Sequence, residues 1–183
     1  MKYWLTTDTH FGHTDKMVEY CGRPKDYEDK IFNGLELLGD EDVLIHLGDI
    51  CIGDDEKWSE QIYNECMLGQ MILVRGNHDN KSDSWYYEHG WSFVCDTFSL
   101  KKYGLNILFS HTPQPIGDFD LNIHGHFHNA LPRLLKGDWK ADGEKERNEQ
   151  DLINLTTDKH KLLALEYTDY KPVELQKFLT PNQ

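Results

Sequence analysis

Short apolar stretches, each followed directly by a polar turn, constrain the fold of this chain more than any other feature of its sequence. Predicted strands at residues 2–7, 42–47 and 71–74 are separated by helical patterns at 27–38 and 56–68. Strands that alternate with helices are typical of an α/β or mixed architecture with a largely parallel central sheet. We therefore expect a sheet whose strands all end at the same edge.

The second half of the chain indicates a second sheet. Strand candidates at 92–100, 105–110, 121–124 and 161–168 are separated by loops instead of long helices. The segment 136–151 is hydrophilic with almost no apolar residues, and we expect 131–151 to form an exposed loop or lid. At 183 residues the chain is expected to form a single domain, because a second catalytic module of ordinary size would not fit.

Composition excludes several classes of protein. No apolar run approaches the roughly 20 residues needed to span a bilayer, and no signal-peptide core is seen at the N-terminus, so we expect a cytoplasmic protein without membrane contact. The four cysteines form no C-x-x-C pair, which argues against a thiolate zinc site. The net charge of −13 opposes stable binding to nucleic acid. Oligomeric state cannot be predicted, because no exposed apolar stripe is evident.

Five short clusters of histidine, aspartate and asparagine contain the candidate functional residues. Three of them directly follow the strands of the first half, and two follow strand candidates of the second half. Because ligands bind beyond the carboxyl ends of strands in open α/β sheets, these clusters are expected to converge. The clusters are Asp8-Thr9-His10, Gly48-Asp49, Gly76-Asn77-His78-Asp79, His111 and Gly125-His126-Phe127-His128.

The side chains in these clusters predict a metal centre. Imidazole nitrogens combined with carboxylate or amide oxygens, without thiolate, suit Mn, Zn, Fe, Ni or Co better than calcium. The clusters hold enough ligands for two divalent ions, and a carboxylate can bridge two metals roughly 3.5 to 4 Å apart. This arrangement favours hydrolysis at phosphorus.

The order D-x-H, G-D, G-N-H-D, H and G-H-x-H resembles that of the calcineurin-like metallophosphoesterase superfamily. Residues 8–13, 20–24, 46–49, 75–79 and 170–173 are similar to a small bacterial and phage branch, and the resemblance fails mainly across 131–151. It implies a four-layer αββα sandwich of two mixed sheets flanked by helices, an α/β (α+β mixed) fold with a dinuclear metal site at the strand carboxyl ends.

The resemblance also implies a role for each cluster. One ion would be held by Asp8, His10, His128 and Asp49. The other would be held by Asn77, His111, His126 and the same Asp49, which would bridge. A hydroxide shared by the ions would attack phosphorus in line. His78 would be the general acid for the leaving group, and Asp79 would orient its imidazole.

Two further residues are candidates for substrate contact. His13 lies in a polar loop three residues after His10, where it could be either a phosphate contact or a surface residue. Arg23 could clamp a phosphate oxygen with its guanidinium, although surface arginines that contact only solvent are commoner. For His46, inside an apolar strand, a buried histidine with a satisfied hydrogen bond is the better interpretation.

These residues favour hydrolysis of a small-molecule or nucleotide phosphodiester or monoester. A protein serine/threonine phosphatase is an alternative, but those enzymes resemble G-D-x-x-D-R-G and G-N-H-E, whereas this chain has G-D-I-C-I-G at 48–53 and Asp79 after His78. A nuclease shares the clusters, although the short acidic chain argues against it. A non-catalytic metal-binding interaction scaffold is the third alternative.

Overall fold

A computed structural model describes residues 1–66, 70–130 and 157–180. Its first sheet contains β1 (Tyr3–Thr6), β2 (Val43–His46), β3 (Gln70–Val74), β4 (Phe93–Cys95) and β9 (Val173–Glu174). The strand order is β4-β3-β2-β1-β9, and only β9 is antiparallel to its neighbour. The parallel strands β1, β2 and β3 therefore end at one edge, as the alternation of strands and helices predicts.

The second sheet is also mixed. It contains β5 (Thr97–Lys102), β6 (Leu105–Ser110), β7 (Leu121–His124) and β8 (His160–Leu162) in that spatial order. β5 and β6 are antiparallel, whereas β6, β7 and β8 are parallel to one another. The two strands that precede the histidine clusters, β6 and β7, thus also end side by side.

Four helices cover one face of the first sheet. They are α1 (Thr14–Cys21), α2 (Tyr27–Leu35), α3 (Asp55–Cys66) and α4 (Asp83–Glu88), and a fifth helix, α5 (Leu175–Leu179), follows β9. One buried cluster joins Met17, Ile31, Trp58 and Tyr86 of the helices to Leu44 and Leu73 of the sheet. Helices α1 to α4 therefore each contribute an apolar side chain to the same layer of the core.

A second buried cluster lies between the two sheets. Its fully buried members include Leu5, Ile45 and Val74 of the first sheet and Ile107, Phe109 and Ile123 of the second. Side chains of this kind each contribute about 1.5–3 kcal/mol when removed from water. The predicted mixed α/β fold, with two mixed sheets flanked by helices, is confirmed.

The segment predicted as one strand at 92–100 is in fact two strands in different sheets. β4 pairs with β3 and β5 pairs with β6, and the chain crosses between the sheets at the exposed Asp96. Val94 before the crossing packs in the core under the helices, and Phe98 and Leu100 after it pack against the core between the sheets. The strand predicted at 161–168 is also wrong in extent, since β8 ends at Leu162 and a 3-10 helix occupies Leu165–Tyr167.

Two predictions concern parts of the chain outside this description. The lid predicted at 131–151 lies entirely outside the described residues, as does the end of the helix predicted to reach residue 68. Within the described residues, no helix combines the length and the apolar character needed to cross a membrane.

Candidate metal centre

The loops that follow five strands of both sheets meet at one site. Asp8 and His10 follow β1, Asp49 follows β2, and Asn77 follows β3; the three remaining residues follow β6 and β7 of the second sheet. The structure brings together seven residues predicted as ligands: Asp8, His10, Asp49, Asn77, His111, His126 and His128.

One group of ligand atoms lies around Asp8. Asp8 Oδ1 is 3.9 Å from His10 Nε2 and 3.8 Å from His128 Nε2. His10 Nε2 is also 3.6 Å from Asp49 Oδ2. Two nitrogens and two carboxylate oxygens thus face a common point, in the combination predicted for the first ion.

A second group lies around His111. Its Nε2 is 3.4 Å from Asp49 Oδ2, 3.1 Å from Asn77 Oδ1 and 3.1 Å from His126 Nδ1. Asp49 Oδ2 therefore belongs to both groups, which is the position that a bridging carboxylate requires.

The residues fit a divalent cation. Asp8 Oδ1 and both ring nitrogens of His10 are buried and have no hydrogen-bond partner within the described chain. Such groups are costly to bury unless something compensates them, and a cation would compensate a carboxylate and an imidazole lone pair together. The mixed nitrogen and oxygen set also matches the preference of the first-row transition metals.

Burial and neighbouring charges act in opposite directions on the pKa values of the ligand side chains. Burial opposes the charged form of Asp8, but His128 and His111 hold its pKa below the ordinary value. Burial also opposes a charged His111, yet the hydrogen bond to Asp49 and the nearby carboxylates raise the pKa of His111 to about 9. At His10 burial dominates and lowers the pKa to about 3. The carboxylates thus favour the charged form of His111, whereas burial favours the neutral form of His10.

The backbone is strained at five of the seven positions. The φ angles are positive at Asp8 (48°), His10 (45°), Asp49 (58°), His126 (71°) and His128 (45°). Non-glycine residues in this left-handed region are uncommon, and such strain concentrates at functional sites. The loops are held in conformations that direct these side chains to one point.

Two glycines allow the loops to approach closely. A Cβ atom on Gly48 would lie 2.3 Å from the backbone nitrogen of Gly76, and one on Gly125 would lie 2.1 Å from Thr7 Oγ1. Because no side chain fits at either position, the loops after β1, β2, β3 and β7 can pack against one another only with glycine there.

The placement of Asp79 differs from its predicted role. Its buried carboxylate accepts backbone N–H groups from Asp49 (2.7 Å), Ile50 (3.0 Å) and Gly76 (2.8 Å). No hydrogen bond to the His78 imidazole is found among the described residues. Asp79 therefore holds the loop of Asp49 against the loop of Gly76, and this geometry assigns it to positioning the bridge instead of orienting the predicted acid.

Asp79→Asn is expected to destabilise the fold. An amide would present N–H groups to backbone N–H groups, and leaving such buried donors unpaired costs about 1–3 kcal/mol each. Thermal unfolding should show a lower midpoint than wild type, whereas Asp40→Asn, at an exposed residue, should leave it unchanged. Equal midpoints for wild type and Asp79→Asn would contradict the role assigned here.

His46 links two of the loops, as a satisfied buried histidine. Its Nε2 lies 3.0 Å from Thr9 Oγ1, and its Nδ1 accepts the N–H of Gly48 at 3.1 Å. Because the Thr9 hydroxyl donates to the carbonyl of Ile50, Nε2 must carry the proton. Burial, the main cause, lowers the pKa of His46 to about 4, consistent with this neutral form.

His78 and His13 lie at the open side of the centre. The His78 side chain is 45% exposed, its Nε2 is 4.0 Å from Asp49 Oδ2, and its backbone N–H donates to Asp49 Oδ1 at 2.9 Å. His13 is partly exposed, and burial followed by the nearby His78 lowers its pKa. His78 is therefore the more exposed histidine beside the shared oxygen of Asp49.

Arg23 does not occupy the position expected of a phosphate contact. It is only 2% exposed, and its Nε donates to Glu166 Oε1 at 2.8 Å. Its Nη1 donates to the carbonyl of Thr9 at 3.3 Å, and its Nη2 is 3.1 Å from His128 Nδ1. The guanidinium is thus enclosed beside the ligands, and the predicted substrate role is replaced by a structural one.

Glu166 is a residue that the sequence patterns did not single out. Burial would raise the pKa of its carboxyl group, but the neighbouring His128 and Arg23 lower it to about 2. Its position 143 residues after Arg23 leaves no local signal that could link the two.

The fold and the site together define a class: a two-sheet α/β protein with candidate histidine–carboxylate metal sites at the ends of its strands. The sequence profile of the calcineurin-like phosphoesterases matches residues 1–179. The chain belongs to this family, which supports metal-dependent hydrolysis of phosphoesters in general.

Several relatives extend this comparison. An uncharacterized protein of Methanocaldococcus jannaschii is 25% identical over 182 residues, covering 95% of this chain and 87% of that protein. The crystal structure of a protein of unknown function from Aquifex aeolicus is similar over 96% of both chains, with 26% identity and a TM-score of 0.66. Nuclease MPE of Pseudomonas putida is similar over 69% of this chain and 61% of its own, with 24% identity and a TM-score of 0.46.

Proposed function

We propose that this chain hydrolyses a phosphodiester or phosphomonoester of a small molecule or nucleotide with the help of two divalent metal ions. The observation that carries the proposal is the position of Asp49. Its Oδ2 lies 3.6 Å from His10 Nε2 of one ligand group and 3.4 Å from His111 Nε2 of the other. An exposed histidine, His78, stands beside that oxygen.

Each group would hold one ion. Asp8, His10 and His128 would bind the first, Asn77, His111 and His126 would bind the second, and Asp49 would bind both. Bound ions of this kind polarise a phosphoryl oxygen and lower the pKa of coordinated water towards 7.

The protein's own contribution is to position these groups and to supply a proton. Asp79 fixes the loop of Asp49 through three backbone N–H groups. His78 is anchored by its backbone N–H to Asp49 Oδ1, so its ring can move at the open side while the residue stays in place. We assign it the transfer of a proton to the leaving-group oxygen. His13, next to His78, would contact the phosphate.

The expected partner is a small phosphoester and not a long nucleic acid. The net charge of −13 provides no broad basic surface that could displace counterions from a phosphate backbone. A cytoplasmic location is part of the same proposal.

Purified protein loaded separately with Mn, Zn, Fe, Ni or Co tests the proposal. We expect hydrolysis of at least one of nitrophenyl phosphate, bis-nitrophenyl phosphate and a 2′,3′-cyclic nucleotide, and loss of that activity after chelation. Comparison of the three rates separates monoester from diester preference. A protein that takes up none of these metals and hydrolyses none of these substrates would instead be an interaction scaffold.

A further inference from the structure

Glu28, in the first turn of α2, holds the loop that carries His13. Its Oε1 accepts the backbone N–H of Gly12 at 2.9 Å and the hydroxyl of Thr14 at 2.7 Å. These two donors belong to the residues directly before and after His13 in the sequence. The backbone of His13 is therefore held on both sides by one carboxylate oxygen.

The same loop is also attached to the metal centre. The backbone N–H of His13 donates to the carbonyl of His10 at 3.1 Å, and the hydroxyl of the buried Tyr27 donates to that carbonyl at 2.8 Å. Because a hydroxyl has one proton, Tyr27 cannot donate to Glu28 at the same time. The loop thus has one attachment at the predicted ligand His10 and a separate one at Glu28.

The position of the His13 ring depends on this backbone. Its Nδ1 is buried and has no hydrogen-bond partner among the residues that the structure describes. Burial, followed by the nearby His78, lowers the pKa of His13, so the two imidazoles lie close together at the open side of the centre. A change in the backbone of residues 12–14 would therefore move the His13 ring relative to the metal centre.

We propose that Glu28 is a positioning residue that keeps His13 at the open side of the metal centre, where His13 binds a phosphoryl oxygen of the substrate. The inference deepens the proposed function and rests on it for the contact between His13 and phosphate. Within the described residues, no hydrogen bond or ion pair joins the Glu28 carboxylate to the side chain of a predicted metal ligand. Loss of Glu28 should therefore weaken phosphate binding and leave metal binding unchanged.

The test is the affinity of the Mn-loaded protein for inorganic phosphate, measured by titration calorimetry. We expect His13→Ala and Glu28→Ala each to weaken phosphate binding about tenfold, the effect of losing one hydrogen bond to a charged group. The double variant should bind phosphate no more weakly than His13→Ala alone, because Glu28 then has no ring to position. The metal content of each variant, measured by atomic emission, should equal that of wild type.

Two further substitutions separate the contacts of Glu28 from its charge. Glu28→Gln keeps an acceptor oxygen at the same reach and should retain most of the phosphate affinity. Glu28→Asp keeps the charge but is one methylene shorter, so it should lose as much affinity as Glu28→Ala. If Glu28→Ala does not fold, this pair still decides the matter. Glu36→Ala, at an exposed glutamate that ends α2, is the matched control and should bind phosphate as wild type.

Additive losses in the double variant would overturn the inference, because Glu28 would then act independently of His13. Loss of metal from Glu28→Ala, unchanged phosphate affinity in that variant, or a wild type that binds no phosphate would also overturn it. None of these measurements depends on hydrolysis. Coupled losses in a protein that hydrolyses no phosphoester would refute the proposed function alone. Where a substrate is hydrolysed, both single variants should raise KM about tenfold with little change in kcat.

Discussion

Asp49→Asn is expected to abolish tight binding of both metal ions and, with it, turnover. The carboxylate oxygen Oδ2 is shared by the two ligand groups, and Asn offers only one neutral acceptor oxygen in its place. The loss should exceed the roughly 10- to 100-fold effect of substituting a residue that merely supports a ligand. Metal content measured by atomic emission after gel filtration, alongside kcat with the best substrate, checks this expectation.

The control for this substitution is Asp40→Asn, which removes one carboxylate charge at an exposed residue. It should retain wild-type metal content and rate. If Asp49→Asn retained two tightly bound ions, the bridging position assigned to Asp49 Oδ2 would be wrong, whatever happened to the rate.

His78→Ala is expected to lose much of the turnover but, unlike Asp49→Asn, to keep near-normal metal content. The side chain is 45% exposed, and its Nε2 is 4.0 Å from Asp49 Oδ2, farther than the ring nitrogens of His10 and His111. Alanine keeps the backbone N–H that donates to Asp49 Oδ1, so the bridge stays in place. Removal of a general acid typically costs about 10²- to 10⁴-fold in rate.

The leaving group distinguishes proton donation from other roles of His78. A nitrophenolate leaves readily without a proton, so His78→Ala should lose far less activity on nitrophenyl esters than on an alkyl or nucleoside ester. His89→Ala, in which the histidine removed stacks on Trp85 outside the metal centre, serves as the control. Full activity of His78→Ala on a poor leaving group would eliminate the general-acid assignment.

The central strands and the sites at their ends could be predicted from the sequence because they depend on local patterns. The strands at 105–110 and 121–124 match β6 and β7 in extent. A strand that ends in a polar turn predicts where its side chains go, since parallel strands share an edge. The convergence of Asp8, Asp49 and Asn77, which follow three parallel strands of the first sheet, is what that rule predicts.

The features that escaped prediction depend on contacts between distant parts of the chain. The crossing at Asp96 joins two short strands that follow each other directly in sequence, so one strand was predicted where there are two. No helical pattern marks α1 in the sequence, because Met17 is its one buried residue. Arg23 has the same sequence signal whether it meets a phosphate or Glu166, and the partner that decides its role lies 143 residues away.

The contact made by the Asp79 side chain also could not be predicted from the sequence. A carboxylate next to a histidine in sequence suggests a pair, but adjacent residues in a tight turn often point in different directions. The structure directs the Asp79 carboxylate to backbone N–H groups of two loops, while the His78 ring extends outwards. Adjacency in sequence places both residues in one turn, but it does not predict which groups the Asp79 carboxylate contacts.

Each ligand group takes residues from both sheets, and this division affects more than catalysis. Asp8 and His10 extend from the first sheet and His128 from the second, whereas His111 and His126 of the second sheet face Asn77 of the first. An ion that binds only the folded chain adds about 2.7 kcal/mol to the free energy of unfolding when its concentration is 100 times its dissociation constant. Two interactions would then hold the sheets together: apolar packing between their faces and metal coordination by residues at the ends of their strands. A cell short of these metals would lose the reaction and part of the protein's resistance to unfolding at the same time.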